Sequence, residues 1–262
     1  DFLLAQLFES NKFAQIFRLC RYLLGATDGG DFIDQGWTMM SIADNFVYSL
    51  IDGAEHRKLC KQLFSVSPNR IITDSVNGPI ILTTLQWMKE RSNSIQEFGE
   101  VLQLFALFVE VCDDSAKRNC LRYFSIEELE GYVNEHPMEL GTSALILLNH
   151  ELDVMELSIS QAFCVKGIES LADSEMEFQF SAQMTILLSK TIAKFPDFVS
   201  YEKVRELMIV GCDLCLSEDA KLASSVRRLY NAYTDKLVKE GNIEYVDDFS
   251  SIMNEDARKS IV

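Results

Sequence analysis

Few residues in this chain stand at spacings that support chemistry. Cys212-Asp-Leu-Cys215 has the C-x-x-C form of a dithiol redox centre or of half a zinc site. No second cysteine pair or nearby histidine follows to complete a zinc site, and no strand pattern leads in, as a redox motif requires. On a helix, residues three apart share a face, so the pair reads as two core thiols. Of the three histidines, His136 precedes Pro137 and reads as a cap or loop residue. His150 lies beside Glu151 but outside any His-Glu-x-x-His pattern, and His56 stands alone. There is no Gly-x-x-x-x-Gly-Lys-Ser/Thr loop and no Gly-x-Ser-x-Gly elbow, and Gly29-Gly30 is a plain loop. With no nucleophile beside a base, the expectation is a protein that is not an enzyme and holds no metal or cofactor.

The carboxylates are more informative. The net charge is −16, and it is uneven. Residues 92–180 hold 17 acidic and 4 basic side chains, whereas the segments on either side are nearly balanced. Glu110, Asp113, Asp114, Glu127, Glu128, Glu130 and Glu135 lack the spacing of a calcium loop. Such a field repels nucleic acid and attracts basic peptides. The same charge also serves solubility as a solvated ridge.

These groups must be positioned by helices. No alternating strand pattern appears, and the four prolines, at 68, 79, 137 and 196, fall where helices end or begin. At an offset of 42, Glu97 falls on Glu139, Phe98 on Leu140, Gly99 on Gly141 and Phe105 on Leu147. Helix-start chemistry recurs near 11, 52, 94, 136, 174 and 217. Ser94 with Glu97, Ser125 with Glu128 and Ser174 with Glu177 read as capping boxes; Pro137 reads as a first helical residue and Ser217 as a cap. A repeat near 40 residues is the signature of stacked helical hairpins, none of which buries its apolar stripe alone.

Taken in order, helices are expected over 2–9, 12–24, 35–51, 53–64, 80–91 and 95–112. A short one follows over 116–123 and another from 125 to 135. The remainder are 137–150, 154–171, 175–195, 201–216 and 221–240, with Gly241 as the stop. Residues 241–262 read as an acidic, weakly patterned tail. The longest apolar run, Val101 to Cys112, is too short to span a bilayer, so no membrane insertion is expected. Seven unpaired, scattered cysteines read as reduced thiols of a cytoplasmic or nuclear protein. The chain begins at Asp1, which reads as a piece of something longer.

The pattern resembles the armadillo and HEAT superfamily of helical repeats. Val204-Arg-Glu-Leu-Met-Ile-Val, a Ser-Glu-Asp turn and Val226-Arg-Arg-Leu-Tyr-Asn-Ala follow the second and third armadillo helices, and Thr142 to Asn149 matches the third again. Asn149 and Asn231 fall where that family often carries a peptide-binding asparagine. The family's tryptophan four residues earlier is replaced by Leu145 and Arg227, so its ladder for nuclear-import signals is absent. The resemblance implies one domain over 1–262, all-α, with repeats over 11–240: a right-handed α-solenoid of about six repeats.

It also implies a binding role, as a scaffold or adaptor for a peptide or helix of a partner protein. The repeat-equivalent helices should line one face with Gln15, Arg18 and Arg21, then Gln96, Glu100 and Gln103, then Glu139, Ser143 and Asn149. Gln179, Gln183 and Lys190 follow, then Lys221, Ser225, Arg228 and Asn231. With Glu127 and Glu128 alongside, the centre is acidic and fits a partner segment carrying Lys or Arg. The alternative is a constitutive regulatory or assembly subunit that docks through helix ends or the apolar N-terminal helix around Phe2, Leu3 and Leu7.

Overall fold

The computed structural model describes residues 92–112, 114–155, 158–171, 176–215 and 219–252, with the helical residues Leu82, Leu85, Gln86, Lys89 and Glu90. The helices expected before residue 80 lie outside these residues, and so do Trp87, Asp113, Ser174 and Ser217. All regular structure among the described residues is helical. The chain divides into two compact units, residues 1–125 and 126–262.

In the first unit, α1 spans Ile95–Val111 and α2 spans Asp114–Leu121. The Ser94 cap forms as expected, its Oγ accepting the Glu97 amide at 3.2 Å. Glu97 reaches one residue further back than a capping box requires, accepting the Asn93 amide at 3.0 Å. Phe105 packs edge-on against Phe124 at 4.9 Å, and Leu82, Leu85, Leu102 and Val109 are buried in the same unit. Lys89 sits 4.1 Å over the Phe124 ring and donates to the Tyr123 carbonyl at 2.6 Å. The short helix expected from Ala116 begins at Asp114 instead, where a carboxylate suits the positive end of the helix dipole.

The second unit opens with α3 (Ile126–Glu135), a π-helical turn (Pro137–Gly141) and α4 (Thr142–Met155). Then come α5 (Gln161–Leu171), α6 (Phe178–Lys194), α7 (Tyr201–Leu214), α8 (Ala220–Glu240) and α9 (Ile243–Ile252). From α4 onward each helix packs on its successor or on the one two ahead: α4 on α6, α6 on α8, α5 on α7, α7 on α9. Two layers result. One is α4, α6 and α8 side by side; behind it lies α5, α7 and α9, with α3 against α4. The first layer's segments begin at Pro137, Phe178 and Ala220, steps of 41 and 42 residues.

Close approach between the layers is set by small residues. A Cβ on Gly211 of α7 would stand 3.0 Å from Val226 Cγ2 of α8 and 3.5 Å from Thr185 of α6. Gly241 ends α8 in the left-handed region, at φ 75°, as expected of a C-terminal glycine.

Several expected boundaries are corrected. The single helix read from Val154 to Leu171 is two, because α4 runs on to Met155 and α5 starts at Gln161. Ser160 caps α5, taking the Phe163 amide at 3.1 Å, and Glu130 of α3 fixes Ser160 through its amide at 2.6 Å and its hydroxyl at 2.8 Å. The capping box read at Ser174 is not the start of α6. Glu177 is itself the N-cap residue, without a side-chain cap bond, and the helix begins at Phe178. Asp219, not Ser217, caps α8, its Oδ1 accepting the amides of Lys221 and Leu222.

The acidic tail contains α9. Its Phe249 is fully buried and stacks on Tyr230 at 5.6 Å. Asp248 accepts from Tyr201 Oη at 2.6 Å and Arg205 Nε at 2.8 Å, and Tyr245 stacks on Tyr201 at 4.3 Å. These bonds hold the Asp248 carboxyl below the usual range, first through Arg205 and then through Tyr201.

Two outcomes follow. Gly211→Leu should destabilise by about 2 kcal/mol in chemical denaturation, because the added atoms push Val226 and Thr185 apart. Phe249→Ala should cost about 3 kcal/mol and expose α9 to limited proteolysis at native temperature, since its one fully buried anchor is lost.

Candidate partner-binding surface

The expected surface residues fall into both units. Gln96 is exposed on α1, while Glu100 and Gln103 are half-buried and already make polar or electrostatic contacts within the protein. In the second unit, Glu127 and Glu128 are exposed in the first turn of α3. Glu139 is exposed in the π-helical turn that leads into α4, and Ser143 is half-buried one turn later. Arg228 and Asn231 are exposed and one turn apart on α8.

Asn149 and Gln183 are brought together, but inside the fold. Asn149 is 6% exposed and donates its amide to the Gln183 carbonyl at 3.0 Å and to Gln183 Oε1 at 3.1 Å. That pair ties α4 to α6, so the amide nitrogen is taken by the protein itself, while Oδ1 is buried with no partner among the described residues. Four residues further along α4, Asp153 receives Lys190 Nζ of α6 at 2.8 and 3.0 Å. Ser225, read as part of the surface row, is 6% exposed and donates to the Lys221 carbonyl. Sequence reasoning missed Asp153 and Asp248 as structural partners. The signal was faint: an i+4 step from Asn149 to Asp153 on one side, and Gln183 to Lys190 on the other.

The cysteine pair behaves as core. Cys212 lies in α7 and Cys215 caps it, both are buried, and burial pushes each thiol up to about 11. Cys164 is pushed to about 12 and Cys120 is also raised, again by burial first. Thiols held protonated are poor nucleophiles and poor metal ligands. Among the described residues, no group of three His, Cys, Asp or Glu side chains is placed to hold a metal ion. No described helix is long and apolar enough to cross a membrane.

One carboxylate stands apart. Glu151 of α4 is 4% exposed, and no described residue donates to its Oε2. Burial, reinforced by the charge of Glu127 on α3, raises it from 4.5 to about 7. No protein-family model, curated protein or solved structure matches the chain.

The folded pKa of Glu151 lies above its unfolded value, so its charged form opposes folding. Stability associated with this group is full below about pH 4.5 and is lost as pH rises toward 7. Glu151→Gln should therefore be more stable than the parent above pH 7, by on the order of 1–3 kcal/mol, with the gap closing near pH 4.5. Thermal melts across that range check it.

Proposed function

We propose that this chain is a non-enzymatic protein-binding scaffold built of armadillo- or HEAT-like helical repeats, stacked as a right-handed solenoid. The observation that carries the reading is the layer of α4, α6 and α8, whose segments start 41 and 42 residues apart. Stacked hairpins of that kind offer long surfaces without needing a pocket, and binding to such surfaces depends on distributed contacts. The partner is a protein whose basic segment meets exposed Glu127, Glu128 and Glu139. Five described cysteines are free and buried, which suits a reducing compartment such as cytoplasm or nucleus.

A second reading, a constitutive subunit of a larger assembly, is favoured by exposed apolar side chains at segment starts: Met138 at 66% and Phe178 at 52%. Co-purification at fixed stoichiometry that resists high salt distinguishes it.

The test begins with affinity capture from the native source. A Lys/Arg-rich segment of the captured protein is then titrated into the purified chain. Glu127→Lys with Glu128→Lys and Glu139→Lys should weaken binding at low salt and leave helicity and melting unchanged. Each exposed pair contributes only about 0.2–1 kcal/mol, so the three changes are made together. Binding that ignores both the reversals and salt would remove the acidic surface from the reading.

A further inference from the structure

The second unit separates its charges by layer. Helices α4, α6 and α8 together carry seven Lys and Arg against four Asp and Glu. Helices α3, α5, α7 and α9 carry three against eleven. Three of the first layer's four carboxylates are buried or lie near a cation, and the fourth, Asp235, is exposed on the same side of α8 as Lys221 and Arg228. Glu151 is buried, Asp153 holds Lys190 at 2.8 Å, and Glu240 lies 3.8 Å from Lys236. A chain of net charge −16 thus presents one layer with an excess of cations.

Four of those cations lie on the side of the layer away from α7, although Lys190 is paired with Asp153 and Lys236 is turned to the α6–α7 connection. Thr185 of α6 and Val226 of α8 point at Gly211 of α7, and so mark the sides that face the second layer. Gln183, Lys190 and Lys194 recur at i, i+7 and i+11 on the side of α6 away from Thr185. Lys221 and Arg228, both exposed, stand seven apart on the side of α8 away from Val226.

We propose that this open face of α6 and α8 is a docking surface for an acidic segment of a partner protein, rich in Asp and Glu. Charge complementarity selects the occupant. Carboxylates fit Lys194, Lys221 and Arg228, whereas a basic segment meets net repulsion there. Neighbouring helix axes lie about 8–10 Å apart, so an extended segment of roughly three residues reaches from α6 to α8. The reversals at Glu127, Glu128 and Glu139 test the basic-segment reading and those at Lys221 and Arg228 test this one, so either can fail without the other.

The probe is a fluorescent Asp/Glu-rich peptide titrated into the whole chain at low salt. A Lys/Arg-rich peptide of equal length and a single-stranded oligonucleotide serve as comparisons. The acidic peptide should bind in a salt-sensitive manner. Lys221→Glu with Arg228→Glu should weaken it about tenfold or more at unchanged melting temperature, because both side chains are exposed. The reversals at Glu127, Glu128 and Glu139 should not weaken it. Absence of acidic-peptide binding overturns the proposal, as does binding unaffected by the Lys221 and Arg228 reversals. Oligonucleotide binding that outcompetes the peptide overturns it in favour of a nucleic-acid surface.

Discussion

Helix α6 is apolar on nearly every side, and the second unit is built to cover it. Phe180, Met184, Ile186, Leu187, Leu188 and Ile192 point in different directions around its axis, and all are buried. A helix of this kind has no stable solvent-exposed state, so neighbours must close around it. Helices α4, α5, α7 and α8 do so. Leu188 and Met184 meet α5 at Gly167, Thr185 meets α7 at Gly211, and Gln183 takes the Asn149 amide from α4. The two-layer order follows from that requirement: a helix covered on one broad side by two others, and flanked by one on each edge, leaves a single narrow polar strip.

The polar ties between elements set register where the apolar contacts alone are permissive. Glu130 locks the start of α5 to α3 through both atoms of Ser160. Gln161 donates to the Phe198 carbonyl at 2.6 Å, and Lys236 joins Pro196 and Asp197, so the α6–α7 connection is held from both layers. Asp248 plays the same part for α9. Each tie links a helix terminus or a loop to a neighbouring helix. Terminal backbone groups lack partners within their own helix, so side chains from elsewhere find ready acceptors and donors there.

Layered packing also sorts charge. Glu202, Glu206, Asp213, Glu244 and Asp247 all lie on α7 and α9, while Lys221, Arg228 and Lys239 lie on α8. In sequence these residues alternate in short blocks, and their average is a weakly acidic segment. Folding leaves an excess of cations on one layer and of carboxylates on the other, so the field a partner meets differs from the one the composition describes.

Helical class, the order of the helices from residue 95 onward and most of their limits were legible in the chain itself. Local causes set them: the Ser94 cap, Pro137 at a first helical position and the left-handed Gly241 all act within a few residues. Some slips were local, as where Asp219 rather than Ser217 caps α8; at two others a distant partner decided. Ser160 became a cap with Glu130 thirty residues away behind it, and α9 took shape around Phe249 and Asp248 against α7 and α8. The candidate surface was legible only as a set of polar positions at helical spacing. Whether such a position faces solvent or a neighbour depends on how one helix is rotated against the next. That rotation sent Asn149 and Ser225 inward and left Arg228 and Asn231 outside, and it is fixed by packing rather than by any local pattern.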